Sequence, residues 1–226
     1  MNASRRLIAT LTLLLGGLVA AGWPAIGPAQ TLTVDHEQVR AWNRFADALY
    51  ALHLRQLAGR EVVTEETIGG YATHPDFYRE VRYIDAASGR LLSLIDWERQ
   101  RPDVIHSIEV YQYAADGRLS HDFVAVYLPD FRNAPILTLV NVHHHDNGLH
   151  AFRQFDASGV YIYEQCRGHW LEKPVMISVE EDELPMNTGR LPDGVSAALY
   201  HRCFDSLPDS AAPYLADLLA GLPPED

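Results

Sequence analysis

VNVHHHDNGLHAFRQF, residues 140–155, holds an Asn147-Gly148 pair between two short runs in which apolar and polar residues alternate. Asn-Gly favours a two-residue hairpin turn, because both turn positions need positive φ and these residues tolerate it best. With that turn, Asp146 pairs with Leu149, His145 with His150, His144 with Ala151 and His143 with Phe152. Side chains alternate between faces along a strand. His143, His145 and His150 therefore share one face, while His144 joins Val140, Val142 and Phe155 on the other.

The same punctuation continues outward. DAASG at 85–89, DG at 116–117 and DASG at 156–159 separate strand-like segments from about Tyr78 to Cys166, the signature of an antiparallel meander. The intervals between Gly89, Gly117, Gly148 and Gly159 are uneven, which describes repeated hairpins and not a solenoid. Longer connections fall at 97–103 (WERQRPD) and 128–135 (LPDFRNAP). One further strand, Pro174 to Val179, precedes the acidic run EEDE at 180–183, read as a solvated loop, and a loop containing Asn187, Gly189 and Gly194.

Helices flank the strands. Asp35 and Gln38 form a capping box with Val34 and Val39 as its staple, and Gly59 is the stop signal. Between them Val39, Trp42, Ala46, Leu49, Tyr50, His53 and Leu57 recur at helical spacing, opposite Glu37, Arg40, Arg44, Asp47 and Arg55. Near the C-terminus, Asp193 can cap a helix from about Gly194 to Phe204. Asp209 or Ser210 can cap another reaching about Ala220, with Gly221 and Pro223-Pro224 ending it. The fold class is α+β: a single antiparallel β-meander sheet covered by an N-terminal amphipathic helix, with a C-terminal helical pair, all in one domain of residues 30–226.

The chain has 226 residues, 47% apolar and 21% charged, a composition that excludes disordered and collagen-like classes. Its net charge of -12 excludes nucleic acid as a partner, since phosphate binding works through Lys and Arg replacing counterions. Residues 1–29 have signal-peptide order: Arg5 and Arg6, an apolar run from Leu7 to Ala21, then Gly27 and Ala29 as the small residues before a cut. Trp23-Pro24 and Gly27-Pro28 interrupt the apolar run, so cleavage is expected and no stable membrane span after it. Cleavage leaves 16 basic residues (18 minus the two arginines) against 30 acids, a charge of -14. Ser4-Arg5-Arg6-Leu7-Ile8 resembles the twin-arginine export signal, so either that or the secretory route leads to a periplasmic or extracellular location. In such a compartment Cys166 and Cys203, the only two cysteines, are expected to form a disulfide.

The candidate chemistry centres on imidazoles. Opposed residues on one face of a hairpin have Cβ atoms roughly 4.5 to 5.5 Å apart, which lets His143, His145 and His150 approach a common transition-metal ion such as zinc, copper, nickel or iron. Asp146 is the expected acceptor supporting those ligands. The alternative is that these are polar residues on a solvent-facing strand surface. His143 and His145 stand one residue apart, as in the first cupin metal motif. Leu137 stands where that motif has Gly and His150 where it has Glu, and no second motif follows. A second group comes from the Asp116-Gly117 hairpin. It sets Gln112 opposite His121 and His106 opposite Tyr127, and His53 of the first helix would meet His106 or His121 if that helix covers their face. Tyr111, Tyr113, Tyr127, Tyr161 and Tyr163 are candidates for an aromatic platform.

No nucleophile elbow, zincin helix, phosphate-binding loop or dinucleotide fingerprint is present. The expectation is an exported binding or accessory protein for an envelope protein or a small ligand, with a three-histidine metal protein or metalloenzyme as the alternative. A third expectation is pH sensing, in which protonation of the eleven histidines at acid pH alters association.

Overall fold

The computed structural model describes residues 37–129 and 131–222. The signal segment and the expected caps Val34 and Asp35 lie outside them. A long helix, α1 (Glu37–Leu57), leads into nine strands. These are β1 (Val62–Tyr71), β2 (His74–Asp85), β3 (Leu91–Glu98), β4 (Ile105–Tyr113), β5 (Leu119–Val126), β6 (Leu137–Asp146), β7 (Leu149–Asp156), β8 (Tyr161–Trp170) and β9 (Lys173–Glu180). Three helices follow: α2 (Pro185–Thr188), α3 (Ala197–Phe204) and α4 (Ala212–Leu219). The strands form one antiparallel sheet in the order β1 to β9, each bonded to its neighbours in sequence. The α+β meander expected from the turn residues is the fold.

The meander starts earlier than the alternation suggests. β1 runs through VVTEETIGGY and is almost wholly exposed, so no buried face writes a period of two into its sequence. The segment 97–103 was expected to be a connection, yet Trp97 and Glu98 belong to β3. The acidic run does not begin as a loop: Glu180 ends β9, and Glu181–Glu183 form an exposed 3-10 turn. The loop expected after it contains α2, with Pro185 in its first turn. α3 begins later than Asp193 predicts. Its cap is Ser196, whose hydroxyl accepts from the Leu199 amide at 3.3 Å. At α4, Ser210 Oγ accepts from the Ala212 amide at 3.1 Å, while Asp209 turns to Arg153.

All the helices that touch the sheet lie on one face. α1 packs on β3 to β6, α3 on β6 to β8, and α4 on α1. That face of the sheet carries Ile95, Ile108, Val110, Phe123, Val140 and Phe155, all buried. α1 is rolled relative to the expected stripe. Its buried residues are Val39, Phe45, Ala46, Ala48, Leu49 and His53, while Trp42 is half-buried and Tyr50 is 38% exposed. Phe45 decides the roll by setting its ring edge against Phe123, centroids 6.2 Å apart. The disulfide Cys166–Cys203 joins β8 to α3. Beneath the C-terminal helices Arg153 of β7 meets Glu164 of β8 at 3.2 Å, and Glu164 also accepts from the hydroxyls of Tyr161 and Tyr200. Among the described residues, no helix is long and apolar enough to cross a membrane.

Candidate functional site on the uncovered face of the sheet

Asn147 and Gly148 have φ of 42° and 84°, and the pairs His143↔Phe152, His144↔Ala151, His145↔His150 and Asp146↔Leu149 follow from that turn. β8 is held close to it. A Cβ at Gly168 would sit 2.0 Å from the Gly148 carbonyl oxygen, so glycine there lets the two backbones meet. His144 faces the helices with Val140 and Val142. His143, His145 and His150 share the opposite face, on which no described helix packs.

The three imidazoles are linked by hydrogen bonds and stacking. Asp122 of β5 accepts from His143 Nε2 at 2.6 Å, and His143 Nδ1 lies 3.0 Å from His150 Nε2. With the Asp122 carboxylate as acceptor, the tautomers follow. With neutral rings, His143 donates to Asp122 and receives the Nε2–H of His150. His145 donates from Nε2 to the Leu119 carbonyl at 3.1 Å and stacks on His150, centroids 4.4 Å apart and planes 3° from parallel. Both Nε2–H groups are thereby used. The Nδ1 atoms of His145 and His150 are left as acceptors without a partner among the described residues. Burial, reinforced by His143 and His145, pushes the His150 pKa down to about 4, and burial also lowers that of His145.

The row continues across the sheet. Asp122 also accepts from Asn141 Nδ2 at 2.6 Å, and Asn141 Oδ1 accepts from Gln154 Nε2 at 2.7 Å. Glu109 of β4 occupies the same face. Burial, together with the charge of Asp122, raises its carboxyl to about 7 against the lowering effect of its hydrogen bond with Tyr111. Phe152 and Tyr163 flank the imidazoles, ring centroids 5.7 Å apart.

Sequence reading misses Asp122, Asn141, Gln154 and Glu109. The Asn147-Gly148 register already opposes Asn141 to Gln154 on the face of His143. Asp122 needs the β5–β6 register, which is set across a long connection without a turn signature. The expected support residue, Asp146, is elsewhere: it pairs with Leu149 on the helix side and forms an ion pair with Arg202 of α3. Alternation alone requires this, since Asp146 differs by one position from His145.

The second histidine group is not assembled. α1 does cover the face predicted, but His53 Nδ1 bonds the Ser93 hydroxyl at 2.7 Å, and His121 packs on Tyr214 and Phe123. A register shift next to Trp97 redirects His106, which stacks on Tyr78 and bonds the Tyr71 hydroxyl. The tyrosines divide as well. Tyr111, Tyr113 and Tyr163 stand on the uncovered face, Tyr161 reaches Glu164 beneath the helices, and Tyr127 packs against the core.

Among the described residues, no group of three or more His, Cys, Asp or Glu side chains is arranged to hold a metal ion. No family model and no curated protein matches the chain. Among solved structures it is similar to a DUF3836 family protein from Parabacteroides distasonis ATCC 8503, at 8% identity over 55% of this chain and 95% of that one, with a TM-score of 0.20. A likeness that low carries no argument about either fold or function.

Proposed function

We propose that the chain is an exported binding or accessory protein that holds an envelope partner or a small ligand on the uncovered face of its sheet. One observation carries this reading. His145 and His150 are stacked with both Nε2–H groups engaged, so the acceptor nitrogen of each is held in place before binding, with Phe152 6.4 Å from the His150 ring. Groups fixed before binding lose little rotamer freedom when a ligand arrives. The matching chemistry is a ligand rich in N–H or O–H donors with an apolar edge for Phe152 and Tyr163. Export rests on the order of residues 1–29, and a disulfide suits an oxidising compartment.

The test places a photo-crosslinking amino acid at Gln165, on the uncovered face, and at Arg40, exposed on α1. The expected result is one discrete adduct in the envelope fraction from position 165, lost when His145 and His150 are both changed to alanine. Adducts of equal yield from both positions would refute the assignment of the face. An unprocessed chain confined to the cytoplasm would refute export.

A transition-metal site at His143, His145 and His150 is the second reading, and it rests on their common face of the β6–β7 hairpin. Such an ion would complete its coordination with water or a partner's groups. It predicts zinc, copper, nickel or iron in protein purified from its native compartment. A metal content unchanged by alanine at His143, His145 and His150 would reject it.

A further inference from the structure

Apart from the histidine row, and sharing no residue with it, lies a cleft of about 920 Å³. The β1–β2 hairpin contributes Tyr71 and Phe77, the end of β3 and the turn after it contribute Glu98 and Arg101, and the segment after β5 contributes Leu128 and Arg132. Sites for small organic molecules typically span ~300 to 1,000 Å³.

The polar end combines one carboxylate with two guanidinium groups. Glu98, whose side chain is 2% exposed, accepts from Arg101 Nε at 2.7 Å, lies 2.6 Å from Arg101 Nη2, and contacts Arg132 as well. Among the described residues of this cluster one negative charge faces two positive ones, in a chain whose net charge is -12. Arg101 is 51% exposed, so part of its guanidinium remains open at the cleft, whereas Arg132 donates from Nη1 to the Ile105 carbonyl at 2.9 Å and keeps its Nε buried, without a hydrogen-bond partner among the described residues. The neighbouring Arg99 is paired with Asp76 at 2.5 Å. A guanidinium pairs with carboxylates in a planar, two-point geometry that an ammonium does not offer.

The other end is apolar. Tyr71 and Phe77 stand with ring centroids 5.6 Å apart, and Leu128, 44% exposed, lines the same cleft. An inorganic anion would gain nothing from that wall, and a neutral apolar molecule nothing from the arginines. We propose that this cleft binds a small organic carboxylate carrying an aromatic or aliphatic body, its carboxylate at the open side of Arg101, with the charge of Arg132 nearby, and its body against Tyr71, Phe77 and Leu128.

The test is titration of the full chain with benzoate, benzyl alcohol and inorganic phosphate, followed by amide chemical shifts. Benzoate should shift residues 71–77 and 98–101 saturably, with phosphate at least roughly ten-fold weaker and benzyl alcohol without saturation. Arg101→Gln should weaken benzoate by at least roughly ten-fold. Thr73→Trp fills the cleft without touching the ion pairs, so it keeps the question decidable if the arginine variant unfolds, and it should abolish binding. The proposal is overturned by absence of saturation with benzoate, by phosphate binding as tightly, or by benzoate binding unchanged in a folded Thr73→Trp variant.

Discussion

Arg153→Met tests how the C-terminal helices are held to the sheet. The Arg153 and Glu164 side chains are 7% and 0% exposed and lie 3.2 Å apart. Through Nη1 the arginine also reaches the Leu207 carbonyl at 3.3 Å, the Pro208 carbonyl at 3.1 Å and Asp209 at 2.8 Å, binding the connection between α3 and α4. Methionine fills much of the volume but leaves Glu164 buried without its countercharge. Loss of one partner from a buried pair costs about 3 to 5 kcal/mol, and the lower end applies because the hydroxyls of Tyr161 and Tyr200 still donate to the carboxylate. About 3 kcal/mol in a domain of this size corresponds to a Tm lower by about 6 to 12 °C. Removing the stranded charge as well, in Arg153→Met with Glu164→Leu, should recover most of that loss. Urea unfolding followed by circular dichroism, with the disulfide intact, measures both variants. A single variant within about 1 kcal/mol of the parent, or a double variant no more stable than the single one, would refute the argument.

Three further outcomes follow from the same structure. The folded state keeps His150 neutral down to about 4, whereas the unfolded chain takes up that proton near 6.5. Its protonation therefore favours unfolding as pH falls from about 6.5 to 4, and His150→Asn should flatten the stability profile across that window in urea melts. Glu109 has the opposite sign: folding raises its pKa from 4.5 to about 7, so stability is lost as pH rises through that interval. Glu109→Gln should stabilise the protein at pH 8 relative to pH 5, and an equal effect at both values would count against it. Reducing Cys166–Cys203, which are 37 positions apart, should destabilise the chain by about 4 kcal/mol in the loop-entropy relation, read as a lower urea midpoint with dithiothreitol.

What the sequence discloses divides along physical lines. Where a local conformation has a strong residue requirement, as at Asn147-Gly148, turn and register are legible and every opposed pair follows. The meander is readable for the same reason. β1 is not, because a strand exposed on both faces has no alternation to detect. Partners brought together by tertiary contacts are also hidden. Asp122 meets His143 only through a register fixed across residues 127–136, and His106 leaves the expected face at a shift in the β3–β4 ladder. The roll of α1 is set by Phe45 against Phe123, a contact its own helical spacing does not contain.

The order of the strands also bears on how the chain is made. Every strand after β1 pairs with the one synthesised just before it, so the sheet can extend hairpin by hairpin as residues emerge, with no strand waiting for a distant partner. Cys203 emerges only after β9 is complete, so its bond to Cys166 can form only once every strand of the sheet has been synthesised. The covalent bond thus fastens α3 over a surface whose strands all precede it in the chain.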